Sequence, residues 1–390
     1  MKKIVIVLFL LVPGILSAQK EVKPNINKAM TALTSGKFDE AKSTIDAATT
    51  YEKTMNDGKT WFYRGVIYGA LDTTASYKST EDLTAVSAAS FQKAREISGG
   101  KTSSYFVTTS ASPLPLAFDQ AITDIANRYL VKGGKLFGEE DYKGALVQFE
   151  KGIAFKPDTT FYLYAGYSAY NAEERKKSID YLTQYAKQGG REQQALTMPA
   201  LIAYEDQTYE ESLVAARDVL KILPGHKDMK AIELNSLIQL KKYDDAATLL
   251  ASDLKANPND AQGHYLLGVL NTELKKEADA KKNFEDAVRI DPNHYEASLA
   301  LARIYYFDAK VIKDEMNALG ISAADKKKRL ELDSKYLEKL KIALPYWQKL
   351  EKIKPDSQDV LDGLYTIYGD LDNQEQLKRL EKRYKELGIE

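Results

Sequence analysis

The sequence contains no cysteine and only three histidines among its 390 residues. Without cysteine the chain can form no disulfide bond, no thiolate metal ligand and no lipidated cysteine anchor. It also has no excess of either charge, because 55 basic and 56 acidic residues leave a formal net charge of −1. Proteins that hold nucleic acid usually present an excess of basic residues, so we expect no nucleic-acid partner.

The three histidines are His226, His264 and His294. The first and last each follow a proline by two residues, which indicates equivalent loop or helix-cap positions. None of the spacings matches a zinc site or a nucleophilic relay. We therefore expect no metal, no cofactor and no enzymatic activity, although carboxylate pairs are numerous enough to leave acid–base chemistry open.

The amino terminus has the pattern of an export signal. Lys2 and Lys3 precede an apolar run over residues 4–16, and Ser17 and Ala18 follow it. This run is too short to cross a bilayer, and the segment resembles a bacterial Sec-type signal peptide. We expect a signal peptide over residues 1–18, a mature chain over 19–390 and a periplasmic or secreted protein with no stable membrane insertion. The alternative is an uncleaved amphipathic or anchoring helix.

Prolines recur at a fixed interval in the second half of the chain. Pro224, Pro258 and Pro292 are each 34 residues apart. Pro157 lies two such intervals less one residue before Pro224, and Pro355 lies one interval plus 29 residues after Pro292. A period of 34 residues indicates a repeated pair of helices, each pair ended by a proline.

Small and aromatic residues recur ahead of these prolines at helical spacing. One unit has Ala280, Phe284, Ala287 and Pro292, and another has Ala145, Phe149, Gly152 and Pro157. These residues match consensus positions 20, 24, 27 and 32 of the tetratricopeptide repeat, and Trp61, Gly65 and Tyr68 match positions 4, 8 and 11. The chain thus resembles an exported bacterial tetratricopeptide repeat protein.

The resemblance implies an all-α, right-handed superhelical solenoid of about nine helical hairpins. We expect the hairpins to begin near residues 22, 58, 117, 159, 193, 227, 261, 295 and 358, with 358–390 as the capping repeat. The extra 29 residues predict an insertion over about 308–336 in the eighth repeat. A turn at Gly320 and a capping box at Ser322 and Asp325 predict that it forms a long helical hairpin.

The family binds ligands on the concave face, which the first helix of each repeat lines. Aromatic and polar residues fall at or near those positions here, accompanied by Glu273 and Glu296 among others. Our candidate ligand-binding residues are Phe62, Phe137, Tyr167, Tyr170, Tyr204, Asn235, Tyr265, Arg303 and Tyr306. We expect Tyr265 and Tyr306 to project into the same concavity. The alternative for each ring is that it fills the core between helices.

These features predict a non-catalytic scaffold that binds an extended peptide or a partner protein on its concave surface, in a bacterial envelope or secretion assembly. Tyrosine suits such a groove, because it combines a large rigid face with a hydrogen-bonding hydroxyl. The same residues could form sugar platforms. The alternative function is therefore a glycan-binding periplasmic solenoid.

Overall fold

The computed structural model describes residues 23–109 and 112–388, so the predicted signal peptide lies outside the described residues. The described part contains eighteen helices and two short strands. It divides into two compact units, Met1–Ile202 and Ala203–Glu390. The expected all-α fold of consecutive helical hairpins is confirmed.

The first unit consists of helical pairs with one β-hairpin between the second and third pairs. Its elements are α1 (Ile26–Thr34), α2 (Phe38–Thr50), α3 (Gly58–Thr73), α4 (Leu83–Ile97), β1 (Phe106–Thr109), β2 (Ser112–Ala117), α5 (Phe118–Gly138), α6 (Tyr142–Phe155), α7 (Thr159–Asn171), α8 (Arg175–Lys187) and most of α9 (Gln193–Glu205).

The second unit continues the same alternation of first and second helices. Its elements are the end of α9, then α10 (Tyr209–Ile222), α11 (Lys227–Gln239), α12 (Tyr243–Ala256), α13 (Ala261–Glu273), α14 (Glu277–Ile290), α15 (Tyr295–Asn317), α16 (Ala323–Ile353), α17 (Gln358–Asp370) and α18 (Gln374–Leu387). Eight of the nine first helices begin within one residue of the predicted position, and α1 begins four residues later than predicted.

The turn inside most hairpins ends its first helix with the same cap. After α11, Lys241 has φ of 55°, the N–H of Lys242 donates to the carbonyl of Leu237 at 2.9 Å, and the N–H of Lys241 donates to that of Ile238 at 2.9 Å. This is the Schellman pattern, which satisfies the last carbonyls of a helix. It recurs at Gly36, Glu140, Glu173, Gln207, Lys275 and Asp372. Only one of these seven positions carries the glycine that such a cap favours, so the positions of glycine in the sequence do not predict these caps.

Packing of consecutive helices, both within a hairpin and between hairpins, depends on a small residue facing a large one. A Cβ added to Gly268 of α13 would lie 2.5 Å from the Phe284 ring of α14, and one added to Gly363 of α17 would lie 2.2 Å from the Trp347 ring of α16. Both rings are buried. The absence of a side chain on one helix therefore creates the space that the aromatic ring of the other fills.

A β-hairpin between α4 and α5 is the element that the sequence analysis missed. Strands β1 and β2 are antiparallel, with Val107 opposite Leu116. Tyr105 before β1 and Phe118 after β2 both stack on Phe62 of α3, with ring centroids at 5.8 Å and 5.2 Å. The hairpin thus delivers two aromatic rings to the core of the first unit.

The insertion forms the expected long hairpin, which consists of the C-terminal part of α15 and the N-terminal part of α16. The Ser322 hydroxyl accepts a hydrogen bond from the N–H of Asp325 at 3.1 Å, so the predicted capping box is present. The ammonium of Lys313 lies 2.6 Å from Asp370 of α17, and the Tyr336 hydroxyl donates to the same carboxylate. The base of the insertion is therefore anchored to the last hairpin.

Candidate functional site

A groove of about 350 Å³ between the first helices α13 and α15 is lined by two of the predicted residues, Tyr265 and Arg303. Its apolar lining comes from α13, α14 and α15, and its polar lining includes two carboxylates. The complete set is Tyr265, Val269, Thr272, Glu273, Phe284, Glu296, Leu299, Ala300, Arg303 and Ile304. The arrangement offers apolar side chains and charged groups to one ligand at the same time.

Each wall of the groove starts at a capped helix end. Asp260 accepts a hydrogen bond from the N–H of Gly263 at 3.0 Å and so caps α13. His294 caps α15, because its Nδ1 accepts from the N–H of Ala297 at 3.3 Å. The prediction that His294 is a cap residue is confirmed.

Tyr265 lies at the end of the groove that is next to His294. Its ring centroid lies 5.1 Å from that of His294 and 5.9 Å from that of Phe284, and the side chain is half-buried. Burial, together with the negative charge of Glu296, raises the pKa of the Tyr265 phenol. The Tyr265 ring therefore packs against His294 and Phe284 and also lines the groove.

Tyr306 does not line this groove, contrary to the expectation that it shares a concavity with Tyr265. It lies on the same face of α15 as Leu299 but about two helical turns further along. There its ring meets Trp347 of the long α16 edge-on, with centroids 6.3 Å apart. Tyr306 therefore belongs to the packing of the eighth hairpin.

Phe62 is fully buried and lies in the core of the first unit. Its ring contacts Tyr105 and Phe118 as described above, and also Phe91 at 6.1 Å. This burial contradicts its placement on an exposed binding face. The β-hairpin is the physical reason, because it covers the side of α3 that the repeat pattern would leave open.

Phe137 and Tyr204 are half-buried and share one packing geometry. Phe137 at the end of α5 packs edge-on against Tyr142 at 5.2 Å, and Tyr204 at the end of α9 packs edge-on against Tyr209 at 5.5 Å. In both pairs the partner is the first residue of the next helix. Each of these rings packs across the turn of its own hairpin, so only part of its surface is accessible to a ligand.

The remaining predicted residues lie on α7 and α11. Tyr167 is half-buried and its hydroxyl donates to Glu192 at 2.5 Å; burial, then this carboxylate, raises its pKa. Tyr170 is 41% exposed, and Asn235 is exposed on α11. These residues are accessible, but they do not line the groove that contains Tyr265.

The sequence analysis missed Val269, Thr272 and Leu299 as groove residues. The sequence contained a signal for the first two, because Tyr265, Val269 and Thr272 are spaced by four and then three residues, which places them on one helix face. What the sequence could not show is that Phe284, a core residue of the hairpin, also reaches the groove floor.

Metal and membrane features were sought in the part of the chain that the structure describes. No group of three or more His, Asp or Glu side chains there could hold a metal ion. Among the described helices, none is both long and apolar enough to cross a membrane.

Comparison with known proteins finds a family match for one segment of the chain. Residues 261–294 match the family sequence model of the tetratricopeptide repeat. This segment comprises α13, α14 and the cap of α15, and it includes Tyr265 and Phe284. No curated protein matches the chain in a sequence comparison.

Solved structures give matches of low overall similarity. YrrB, described as a tetratricopeptide repeat protein with an unusual peptide-binding site, is 18% identical with a TM-score of 0.33, and the match covers 47% of this chain and 98% of that chain. MamA from Desulfovibrio magneticus RS-1 is 20% identical with a TM-score of 0.31, covering 46% and 93%. The Cut9–Hcn1 structure of the APC/C is 15% identical with a TM-score of 0.27, covering 71% and 48%.

Proposed function

We propose that this chain, which is a tetratricopeptide repeat protein, is a non-catalytic scaffold that binds an extended peptide or a partner protein in the groove between α13 and α15. The observation that carries the proposal is the joint presence of an apolar floor and a charged rim in one groove of about 350 Å³. That volume is within the range of roughly 300 to 1,000 Å³ found for ligand sites.

The groove has the composition of a recognition site for side chains. Val269 and Leu299 are half-buried and supply apolar surface above the buried Phe284 ring, and removal of this surface from water by a partner favours binding. Tyr265 adds a rigid ring that loses little conformational entropy on binding. Glu273 and Arg303 stand at the rim, where charged groups set specificity and association rate more than affinity.

The histidines support a non-catalytic role, because the contacts of two of them are structural. His294 caps α15. The Nε2 atom of His264 lies 3.2 Å from the carbonyl oxygen of Pro258, beside the loop that precedes α13. His226 occupies the cap position of α11. These contacts give His264 and His294 a role in the fold, and neither ring lines the α13/α15 groove.

The predicted export signal extends the proposal to location. Residues 1–18 have the pattern of a cleaved leader, and we propose that the mature chain begins near Gln19 and acts in an envelope or secretion assembly. Amino-terminal sequencing of the protein from its native source tests this. Recovery of an intact Met1 in a membrane fraction would contradict it.

The binding proposal can be tested by blocking the groove with a neutral side chain. Thr272 is exposed, lines the groove and donates its hydroxyl to the Gly268 carbonyl at 3.0 Å. Thr272→Tyr should reduce capture of the partner in a cross-linking pulldown read by mass spectrometry, because loss of a central anchor site typically weakens binding about 10-fold or more.

Thr248→Tyr is the matched control. Thr248 is also exposed, makes the same hydroxyl-to-carbonyl contact at 2.8 Å with Asp244 of α12, and lies outside the groove lining. Equal capture by both variants, with wild-type thermal melts, would show that the partner binds elsewhere.

A glycan remains the alternative ligand because of one exposed ring. Tyr170 is 41% exposed at the end of α7 and is followed by Asn171, whose carboxamide donates to the Tyr167 carbonyl at 2.8 Å. A sugar could stack on this ring and donate a hydrogen bond to the carboxamide oxygen. Binding to a glycan array that Tyr170→Ala abolishes and Thr272→Tyr leaves intact would favour this function over peptide binding.

A further inference from the structure

The charges around the α13/α15 groove do not cancel. Glu273, Glu296 and Arg303 are the charged residues in its lining. Arg303 already faces an acidic partner, with its guanidinium 3.4 Å from the Asp359 carboxylate. The two glutamates therefore leave the groove with an excess of negative charge.

Glu296 and Tyr265 lie at the same end of the groove. His294 contacts both residues: its ring centroid lies 5.1 Å from that of Tyr265, and its Nδ1 atom lies 3.4 Å from Glu296 Oε2. The two helices therefore begin side by side, and the groove runs along both in the same direction. The rise in the Tyr265 pKa that Glu296 contributes agrees with a negative local field.

Both nitrogens of His294 have partners in the fold. Its Nδ1 accepts the hydrogen bond from Ala297 that caps α15, and its Nε2 lies 3.1 Å from Gln262 Oε1. In the part of the chain that the structure describes, the Glu296 carboxylate is paired with no lysine or arginine, so its exposed side chain can meet a cationic ligand.

The apolar part of the groove begins one helical turn further on. Val269 is four residues after Tyr265 on α13, which is about 6 Å along the helix axis. Two residues of an extended peptide advance by about 6.6 Å, so side chains at alternate peptide positions match this distance. One would meet Tyr265 and Glu296, and the other would meet Val269 and Leu299.

We propose, as a refinement of the peptide-binding function above, that the groove selects a peptide with a lysine or arginine two positions from an aliphatic residue. The cationic group lies against the Tyr265 ring and the Glu296 carboxylate, and the aliphatic side chain lies on the apolar floor. A cation over a tyrosine ring is attracted by the ring quadrupole, and the nearby carboxylate adds to that attraction.

The test compares three short capped peptides on the full chain. The first is acetyl-Ser-Lys-Ser-Leu-Ser-amide, and the other two carry Gln or Glu in place of Lys; each is also made in reversed order, since either direction fits the spacing. Isothermal titration should show the lysine peptide binding about 5-fold or more tighter than the glutamine peptide at low salt. The difference should shrink at about 0.5 M salt, where screening is strong.

Two single variants locate the effect. Glu296→Gln should remove most of the preference for lysine, because it deletes the charge without shortening the side chain. Glu338→Gln is the matched control, since Glu338 is exposed on α16 and outside the groove lining, and the variant changes net charge equally. A preference lost equally in both variants would show that overall charge, not this contact, causes it.

The outcomes separate the refinement from the function on which it rests. If all three peptides bind alike and Thr272→Tyr weakens all of them, peptide binding stands and the cationic preference is wrong. If the glutamate peptide binds best, the preference is also wrong. If none of the peptides binds at millimolar concentration, both the preference and peptide binding in this groove are refuted.

Discussion

Two adjacent glycines in α5 allow close packing and helix propensity to be measured separately. A Cβ added to Gly133 would lie 2.6 Å from Cε1 and 2.9 Å from Cδ1 of Phe149, a fully buried ring on α6. A Cβ added to Gly134 would meet nothing within 4 Å. Both residues lie in the body of the same helix, so Gly133→Ala and Gly134→Ala both gain helix propensity, and only Gly133→Ala places a methyl group against a buried ring.

The two substitutions are expected to change the stability of the protein in opposite directions. Alanine is favoured over glycine inside a helix by roughly 0.5 to 1 kcal/mol, so Gly134→Ala should stabilise the protein by about that amount. Gly133→Ala gains the same propensity but forces the Phe149 ring to move, and overpacking of this kind costs typically about 1 to 3 kcal/mol. The two variants should therefore differ by about 1 to 3 kcal/mol in the stability of the α5/α6 pair.

Hydrogen exchange is the suitable assay, because unfolding of a repeat protein need not be a single two-state step. Amides of α5 and α6 should exchange roughly 5-fold to 150-fold faster in Gly133→Ala than in Gly134→Ala, the ratio that about 1 to 3 kcal/mol implies. Equal exchange in the two variants would refute the packing argument, and so would slower exchange in Gly133→Ala.

Burial, ionisation and metal content give three more tests. Phe62→Ala should cost roughly 3 to 5 kcal/mol of unfolding free energy and Tyr170→Ala less than about 0.5 kcal/mol, as measured by urea denaturation; equal losses would place the two rings in the same environment. Burial opposes ionisation of Asp72, but hydrogen bonds from Lys151 at 2.8 Å and Tyr129 at 2.7 Å hold its pKa below the ordinary value. Its contribution to stability should thus be complete above about pH 4 and lost as the pH falls through the folded-state pKa, so Asp72→Asn should flatten the acid arm of a stability profile; an unchanged slope would contradict this. EDTA should leave the melting temperature unchanged, because stability should come from packing between neighbouring helices; a large fall would reveal a metal site.

The order and position of the helices could be predicted from the sequence because they depend on local spacing. A proline that ends a helix, a small residue four positions before a large one, and a period of 34 residues all act between near neighbours in the chain. The predicted starts at residues 227, 261 and 295 therefore agree with α11, α13 and α15. The capping box at Ser322 and Asp325 was predictable for the same reason.

The role of each aromatic residue was decided by tertiary structure. Tyr265, Tyr306 and Phe62 all occupy first helices at or near binding positions, yet only Tyr265 lines the groove. Phe62 is covered by rings that flank a β-hairpin, and Tyr306 meets Trp347 on a helix extended by an insertion. The rings that meet Phe62 and Tyr306 come from residues distant in the chain, so local spacing could not show these contacts.

The groove was predictable from the sequence in part, and the rest of it depends on tertiary structure. Tyr265 and Arg303 were predictable as surface positions of α13 and α15, because helical periodicity sets which face a residue occupies. That they line one groove, with Phe284 at its base and Glu296 beside Tyr265 at one end, depends on how three helices pack. Periodicity determines the direction in which a side chain points, whereas the neighbours that it meets are set by contacts between residues distant in the chain.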